Sequence, residues 1–235
     1  MQIKAVIFDL DNTLVDFMKM KREAVAAAAR AMVDHGLSMK EEEAYARLFE
    51  IYDREGIEYQ EVLDHFLKEE LGRLDHRLLA AGVVAYRRAR EANMVLYPHV
   101  KLTLMELIRR GYKLGVLSDA PGRQAWLRLA SLGLLHYFQH VITHEDTGKW
   151  KPDPAPFRKM LEVLDLNHDQ VLMVGDWPDR DIQGARNLHI RTALALYGSD
   201  FDTEDSGADF LLHSVDELIP ILEGLNEGWH PGWTG

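Results

Sequence analysis

From Pro98 onward, short apolar runs alternate with stretches whose apolar residues recur at helical spacing. The runs 113–118, 140–143, 170–174 and 191–196 read as strands. The segments 98–110, 122–132, 154–165 and 180–188 read as helices between them. A weaker strand at 209–211 precedes a helix opened by Ser214 and Glu217, which are spaced as a capping box. Ala5-Val6-Ile7-Phe8 carries no charge and fits one more strand, buried on both faces. Strands alternating with helices through short loops mean a doubly wound parallel sheet.

Residues 16–94 follow a different rule. Phe17, Met20, Ala24, Ala27, Ala28 and Ala31 form a helical stripe that stops at Gly36. Ser38 and Glu41 have capping-box spacing and open a second helix that closes near Gly56. Val62, Leu63, Phe66, Leu67 and Leu71 mark a third, followed by Gly72. Asp75 is placed to cap a fourth, running to about Asn93. The predicted architecture is α/β. A Rossmann-like parallel-sheet core from 1–15 and 95–235 carries a four-helix bundle, 16–94, inserted after the first strand.

The 235 residues suit one domain with such an insert. There is no cysteine, which excludes disulfides, thiolate metal sites and cysteine nucleophiles. A formal charge of −11 opposes a nucleic-acid partner, because a polyanion needs a basic footprint. No run of about 18 apolar residues occurs, and the first run is too short for a secretion signal. A cytoplasmic chain without a membrane partner is expected, as a monomer or homodimer. The eleven histidines form no metal-ligating pattern.

Open parallel sheets bind ligands outside the carboxyl ends of their strands, near the point where strand order reverses. Asp9, Asp11 and Thr13 follow the first strand, and Ser118-Asp119 the second. Lys149 and Lys151-Pro152 follow the third, and Gly175-Asp176 with Asp181 the fourth. One edge of the sheet therefore gathers carboxylates, a hydroxyl and a lysine. Crowded carboxylates call for a hard cation, and a lysine and a hydroxyl suit a phosphate oxygen.

This arrangement resembles the haloacid dehalogenase superfamily, in its phosphatase branch with a helical cap inserted after the first motif. Asp9-Leu10-Asp11-Asn12-Thr13-Leu14-Val15 matches the first motif, Ser118 the second, Lys151-Pro152 the third, and Gly175-Asp176 with Asp181 the fourth. The resemblance implies a magnesium (Mg2+) phosphatase acting on a small phosphorylated metabolite. Asp9 would be the nucleophile and form an aspartyl-phosphate. Asp11 would protonate the leaving alkoxide and then activate water. Ser118, Lys151, Asn12 and Thr13 would bind phosphate. Asp9, Asp176 and the main-chain carbonyl of Asp11 would hold the metal, with Asp181 behind them. Asp9 is taken as ionised at neutral pH, since its reference value is about 4.

The resemblance also admits a phosphomutase, a 2-haloacid dehalogenase or a non-catalytic binding protein on the same fold. Asp11 favours the phosphatase over the dehalogenase, because a halide leaves without a proton. Several positions depart from the family pattern or stand outside it. Asp119, where relatives often carry a neutral residue, is expected to cap helix 122–132. Trp177 either narrows the site or packs on the core. Lys149 is expected in solvent, as is the basic face formed by Lys19, Lys21 and Arg22. Trp229 and Trp233 in the tail suggest docking on this chain or a partner.

Overall fold

Six parallel strands form one sheet in the order β3-β2-β1-β4-β5-β6. They are β1 (Ala5–Phe8), β2 (Lys113–Leu117), β3 (His140–Ile142), β4 (Val171–Gly175), β5 (Arg191–Ala195) and β6 (Phe210–Leu212). The computed structural model describes residues 2–201, 203 and 205–226, so Trp229 and Trp233 lie outside the described residues. The chain divides into two compact units, 17–95 and the remainder, 1–16 with 96–235.

In the sheet unit, β1 pairs with β2 on one side and β4 on the other, with Ala5–Phe8 beside Lys113–Val116 and Val171–Val174. Strand order reverses at β1, so the carboxyl ends of β1, β2 and β4 border the crevice that such sheets use for ligands. The helices of this unit are α5 (Val100–Arg109), α6 (Gly122–Ser131), α7 (His144–Thr147), α8 (Pro154–Leu164), α9 (Gln183–Arg186) and α10 (Leu218–Leu225). On one face, Phe157, Met160 and Leu164 of α8 are buried with Ile7, Leu117 and Met173 of the sheet. Full burial of a side chain of that size contributes about 1.5–3 kcal/mol.

The unit 17–95 is all helical: α1 (Phe17–Asp34), α2 (Glu41–Glu55), α3 (Val62–Leu71) and α4 (His76–Ala92). Its own core gathers Ala28, Met32, Leu48, Ile51, Phe66, Leu67 and Leu78. The Asp75 carboxylate accepts from the amides of Arg77 and Leu78 and caps α4.

Local structure departs from the sequence expectation in three places. Lys40, not Ser38, precedes α2, and no side chain caps it. Glu41 instead accepts from Arg30 of α1, from Nε at 3.1 and 3.2 Å and from Nη2 at 2.9 Å, so a tertiary ion pair displaces the local box. Ser214 makes no cap bond either; Glu217 accepts from the amide of His213 at 2.9 Å. The segment read as helix 180–188 begins as a π-helical turn, Pro178–Ile182, before α9.

Candidate active site

Asp9 is the first residue past β1, and its amide still bonds to Val174 of β4 at 2.8 Å. The chain then turns sharply. Asn12 takes a left-handed φ of 58°, a conformation asparagine tolerates better than most residues, and its amide donates to Val15 at 2.7 Å. Leu14 and Val15 donate to the Leu10 carbonyl, which closes the loop carrying Asp9, Asp11 and Thr13. The Thr13 hydroxyl donates to Asp176 Oδ1 at 3.1 Å, and its carbonyl accepts from Tyr197 Oη at 2.8 Å.

Lys151 reaches this loop from beyond α7. Its ammonium donates to Asp9 Oδ1 at 2.6 Å, Asp181 Oδ1 at 2.6 Å and the Leu117 carbonyl at 3.0 Å. Three donors thus find three acceptors at the ends of β1, β2 and β4. Ser118, the residue after β2, is buried, and its Oγ accepts from the amide of Ala120 at 3.2 Å.

Asp181 sits on the π-helical turn, whose extra residue per turn is a device often found at functional sites. Its second oxygen accepts from the amide of Trp177 at 3.1 Å. Gly175 makes this approach possible: a Cβ there would fall 2.3–2.4 Å from the Asp181 side chain. Gly175→Ala is therefore expected to push Asp181 away from Lys151. The cost should be about 1–3 kcal/mol in stability, as for other overpacked sites, with a clear fall in activity. Denaturant melts and phosphate release on the same sample check both.

Asp9, Asp176 and Asp181 are all buried, and each offers an oxygen within 4.8 Å of the others. Burial pushes the Asp9 carboxyl up to about 8 against the pull of the Lys151 ammonium, and the charges of Asp181 and Asp11 push the same way. Burial, with Asp9 and Asp181 nearby, also raises Asp176 well above the usual carboxylate range. Lys151 is raised above its ordinary value: the charges of Asp181 and Asp9 outweigh the opposing effect of burial. Without a cation beside it, burial therefore disfavours the ionised form of Asp9 that the reference value implies. Three carboxylates share one ammonium, so ionising all three would leave two negative charges uncompensated. A divalent cation that prefers oxygen ligands fits this set.

A buried arginine adds a contact that the sequence does not announce. Arg128 of α6 donates from Nη1 to Asp11 Oδ2 at 2.7 Å, with its own side chain only 5% exposed.

Comparison with known proteins agrees with this geometry. The profile of the haloacid dehalogenase-like hydrolases matches residues 3–189. The chain belongs to the haloacid dehalogenase-like hydrolase family. A glyceraldehyde 3-phosphate phosphatase from Methanocaldococcus jannaschii is 34% identical over 226 residues, 96% of this chain and 99% of the relative. The crystal structure of a HAD phosphatase from Thermococcus onnurineus is 29% identical, with a TM-score of 0.65, over 95% of this chain and 100% of that one. A putative beta-phosphoglucomutase from Thermotoga maritima shares the fold, with a TM-score of 0.74 at 24% identity, over 94% and 99% of the two chains.

Around the motifs of this hydrolase, several side chains take unexpected places. Asp119 does not cap α6. Its oxygens accept from the amide of Lys151 at 2.9 Å and from Arg180 Nη1 at 3.1 Å, so it ties the third and fourth motif loops together. The first amide of α6, on Gly122, is met by Glu145 Oε2 at 2.6 Å. Trp177 neither enters the core nor stands alone: its ring stacks on Phe201 at 4.3 Å and under the Arg180 guanidinium at 3.9 Å. Lys149 is exposed, as are Lys19 and Arg22. Lys21 is not; within the helical unit its ammonium lies 4.3 Å over the Tyr52 ring and donates to Tyr86 Oη at 3.2 Å.

Proposed function

We propose that this hydrolase is a magnesium-dependent phosphatase that cleaves a small phosphorylated metabolite through an aspartyl-phosphate on Asp9. The observation that carries the reading is the buried Lys151 ammonium bonded to Asp9 and Asp181, beside Asp176, at the switch point of the sheet. Asp9 is the nucleophile: its oxygen attacks phosphorus while the ester oxygen departs and takes a proton from Asp11. Water then attacks the same phosphorus, gives a proton to Asp11, and returns the bonding pair to Asp9. Lys151 and Ser118, with the turn at Asn12, are assigned to the phosphate oxygens. Thr13, expected beside them, donates to Asp176, which favours a role in aiming that carboxylate.

Asp9, Asp176 and the carbonyl of Asp11 are the proposed magnesium ligands, with Asp181 behind them holding Lys151. When bound, the ion supplies positive charge that keeps Asp9 ionised and offsets its repulsion from the phosphate. The unit 17–95 is assigned the role of a specificity cap, and the sheet unit that of the catalytic core. The name of the Methanocaldococcus jannaschii relative makes glyceraldehyde 3-phosphate the first substrate to test. A panel of phosphoesters, run with magnesium and with chelator, tests the reading. Phosphate release only with magnesium is expected; inertness toward the whole panel would refute it.

The raised carboxyl of Asp9 adds a pH signature. Its ordinary value is 3.8 and the folded protein pushes it up to about 8. A raised acid contributes stability that is full below the unfolded value and is lost as pH climbs through the folded one. The metal-free protein should therefore melt at a lower temperature at about pH 8.5 than at about pH 5. Magnesium competes with that proton, so it should raise the melting temperature more at the higher pH. Calorimetry at both pH values reads the difference. An equal shift at the two would contradict metal binding at Asp9.

A further inference from the structure

We infer that Arg128 is a positioning residue for the second half of the reaction, holding Asp11 as the group that takes a proton from the attacking water. The inference rests on the aspartyl-phosphate reading above and adds a residue to it. Arg128 lies in the second turn of α6, on the flank of that helix carrying the buried Ala125 and Leu129. Burying a guanidinium is costly unless a carboxylate meets it, and the Asp11 carboxylate meets Arg128 at 2.7 Å. The same helix is anchored at its first amide by Glu145. Arg128 is therefore carried on a fixed element, and its planar head restricts the rotamer of Asp11 more tightly than a flexible ammonium would.

The two half-reactions ask opposite things of Asp11. In the first, it must carry a proton to the departing ester oxygen. In the second, it must accept one. A guanidinium stays charged and bonds best to a carboxylate, the accepting form. A lone pair of the water oxygen forms a bond to phosphorus, and the bond from phosphorus to the Asp9 oxygen breaks with its electron pair returning to Asp9. The water proton moves to Asp11. The products are inorganic phosphate, the Asp9 carboxylate and an Asp11 carboxylic acid ready for the next leaving group. An aryl ester with a stable leaving group isolates this step, because its departure needs little help from an acid.

The test compares wild type, Arg128→Met and Arg128→Lys with para-nitrophenyl phosphate in magnesium buffer. Phosphorylated protein is trapped by acid quench, and its decay is followed after a chase with chelated or diluted substrate. Arg128→Met keeps the length and packing of the side chain. It should slow the decay of the phosphoprotein about 10- to 100-fold, the range for losing a residue that orients an active group. The phosphorylated fraction at steady state should rise. kcat/KM should stay within about threefold, since it reports only the steps up to loss of the aryl alcohol. Arg128→Lys should recover part of the decay rate.

General damage to the site gives a different pattern: kcat/KM falls and no phosphoprotein accumulates. That result would overturn the inference, as would decay at the wild-type rate. Should Arg128→Met fail to fold, Arg128→Gln takes its place, with Arg128→Lys again the partial rescue. A wild type that releases no phosphate from any ester sinks the phosphatase reading and this inference with it. An active wild type whose variants show the wrong pattern sinks the inference alone.

Discussion

Asp9→Asn is expected to abolish phosphate release, with a loss in kcat of at least about 10⁴, while leaving the protein folded and more resistant to heat at about pH 8. The two effects have one cause. Asp9 is a buried carboxylate close to Asp176 and Asp181, and burial already pushes its carboxyl up to about 8. An amide of the same shape removes the nucleophilic oxygen and a repelling charge together. A residue kept for stability behaves the other way, because removing it lowers the melting temperature. Phosphate assays and thermal melts on the same preparation separate the cases. Substantial turnover by the amide variant would show that another group attacks phosphorus.

Lys151→Met is the opposite experiment and has the second large effect. The ammonium answers Asp9 and Asp181 at 2.6 Å each and holds the Leu117 carbonyl at 3.0 Å. Breaking a buried pair by removing one partner typically costs about 3–5 kcal/mol, because the other charge stays behind without its counter-ion. Here two carboxylates are left behind. Activity should fall by at least about 10², as when a preorganised donor to a developing anion is deleted. The destabilisation should be larger at about pH 8 than at about pH 5, where protonation relieves the abandoned Asp9 carboxylate. Denaturant titrations at the two pH values measure it. A variant of wild-type stability would mean that these ion pairs do not form. The same change at Lys149, an exposed neighbour, should alter neither property.

These two residues also show what the sequence makes legible. The parallel sheet follows from alternation, and the crevice follows from the sheet. Asp9, Ser118, Lys151 and Asp176 each stand just past an apolar run, or in the loop that follows one. Such positions are local facts, and a linear reading reaches them. Contacts that depend on distant parts of the chain stay hidden. Arg128 looks like one more polar residue on an amphipathic helix; its burial against Asp11 spans 117 positions. Glu145 meets the first amide of α6 from 23 positions away, which leaves Asp119 available to Lys151 and Arg180. Ser38 and Glu41 have the spacing of a capping box, yet Arg30 offers Glu41 a full charge where the helix end offers a partial one. Lys21 reads as solvated because an aromatic surround formed by Tyr52 and Tyr86 has no local signature.

The identity of the attacking atom is tested most directly by isolating the intermediate. Protein mixed with an aryl phosphate and magnesium is quenched in acid within the first turnover, digested and analysed by mass spectrometry. Nucleophilic attack by Asp9 places a phosphoryl group on the peptide holding Asp9, in an acyl phosphate that hydroxylamine cleaves, and Asp9→Asn protein carries none. Release of phosphate by wild type with that peptide unmodified at every quench time, or modified at another residue, would contradict an aspartyl nucleophile at the end of β1.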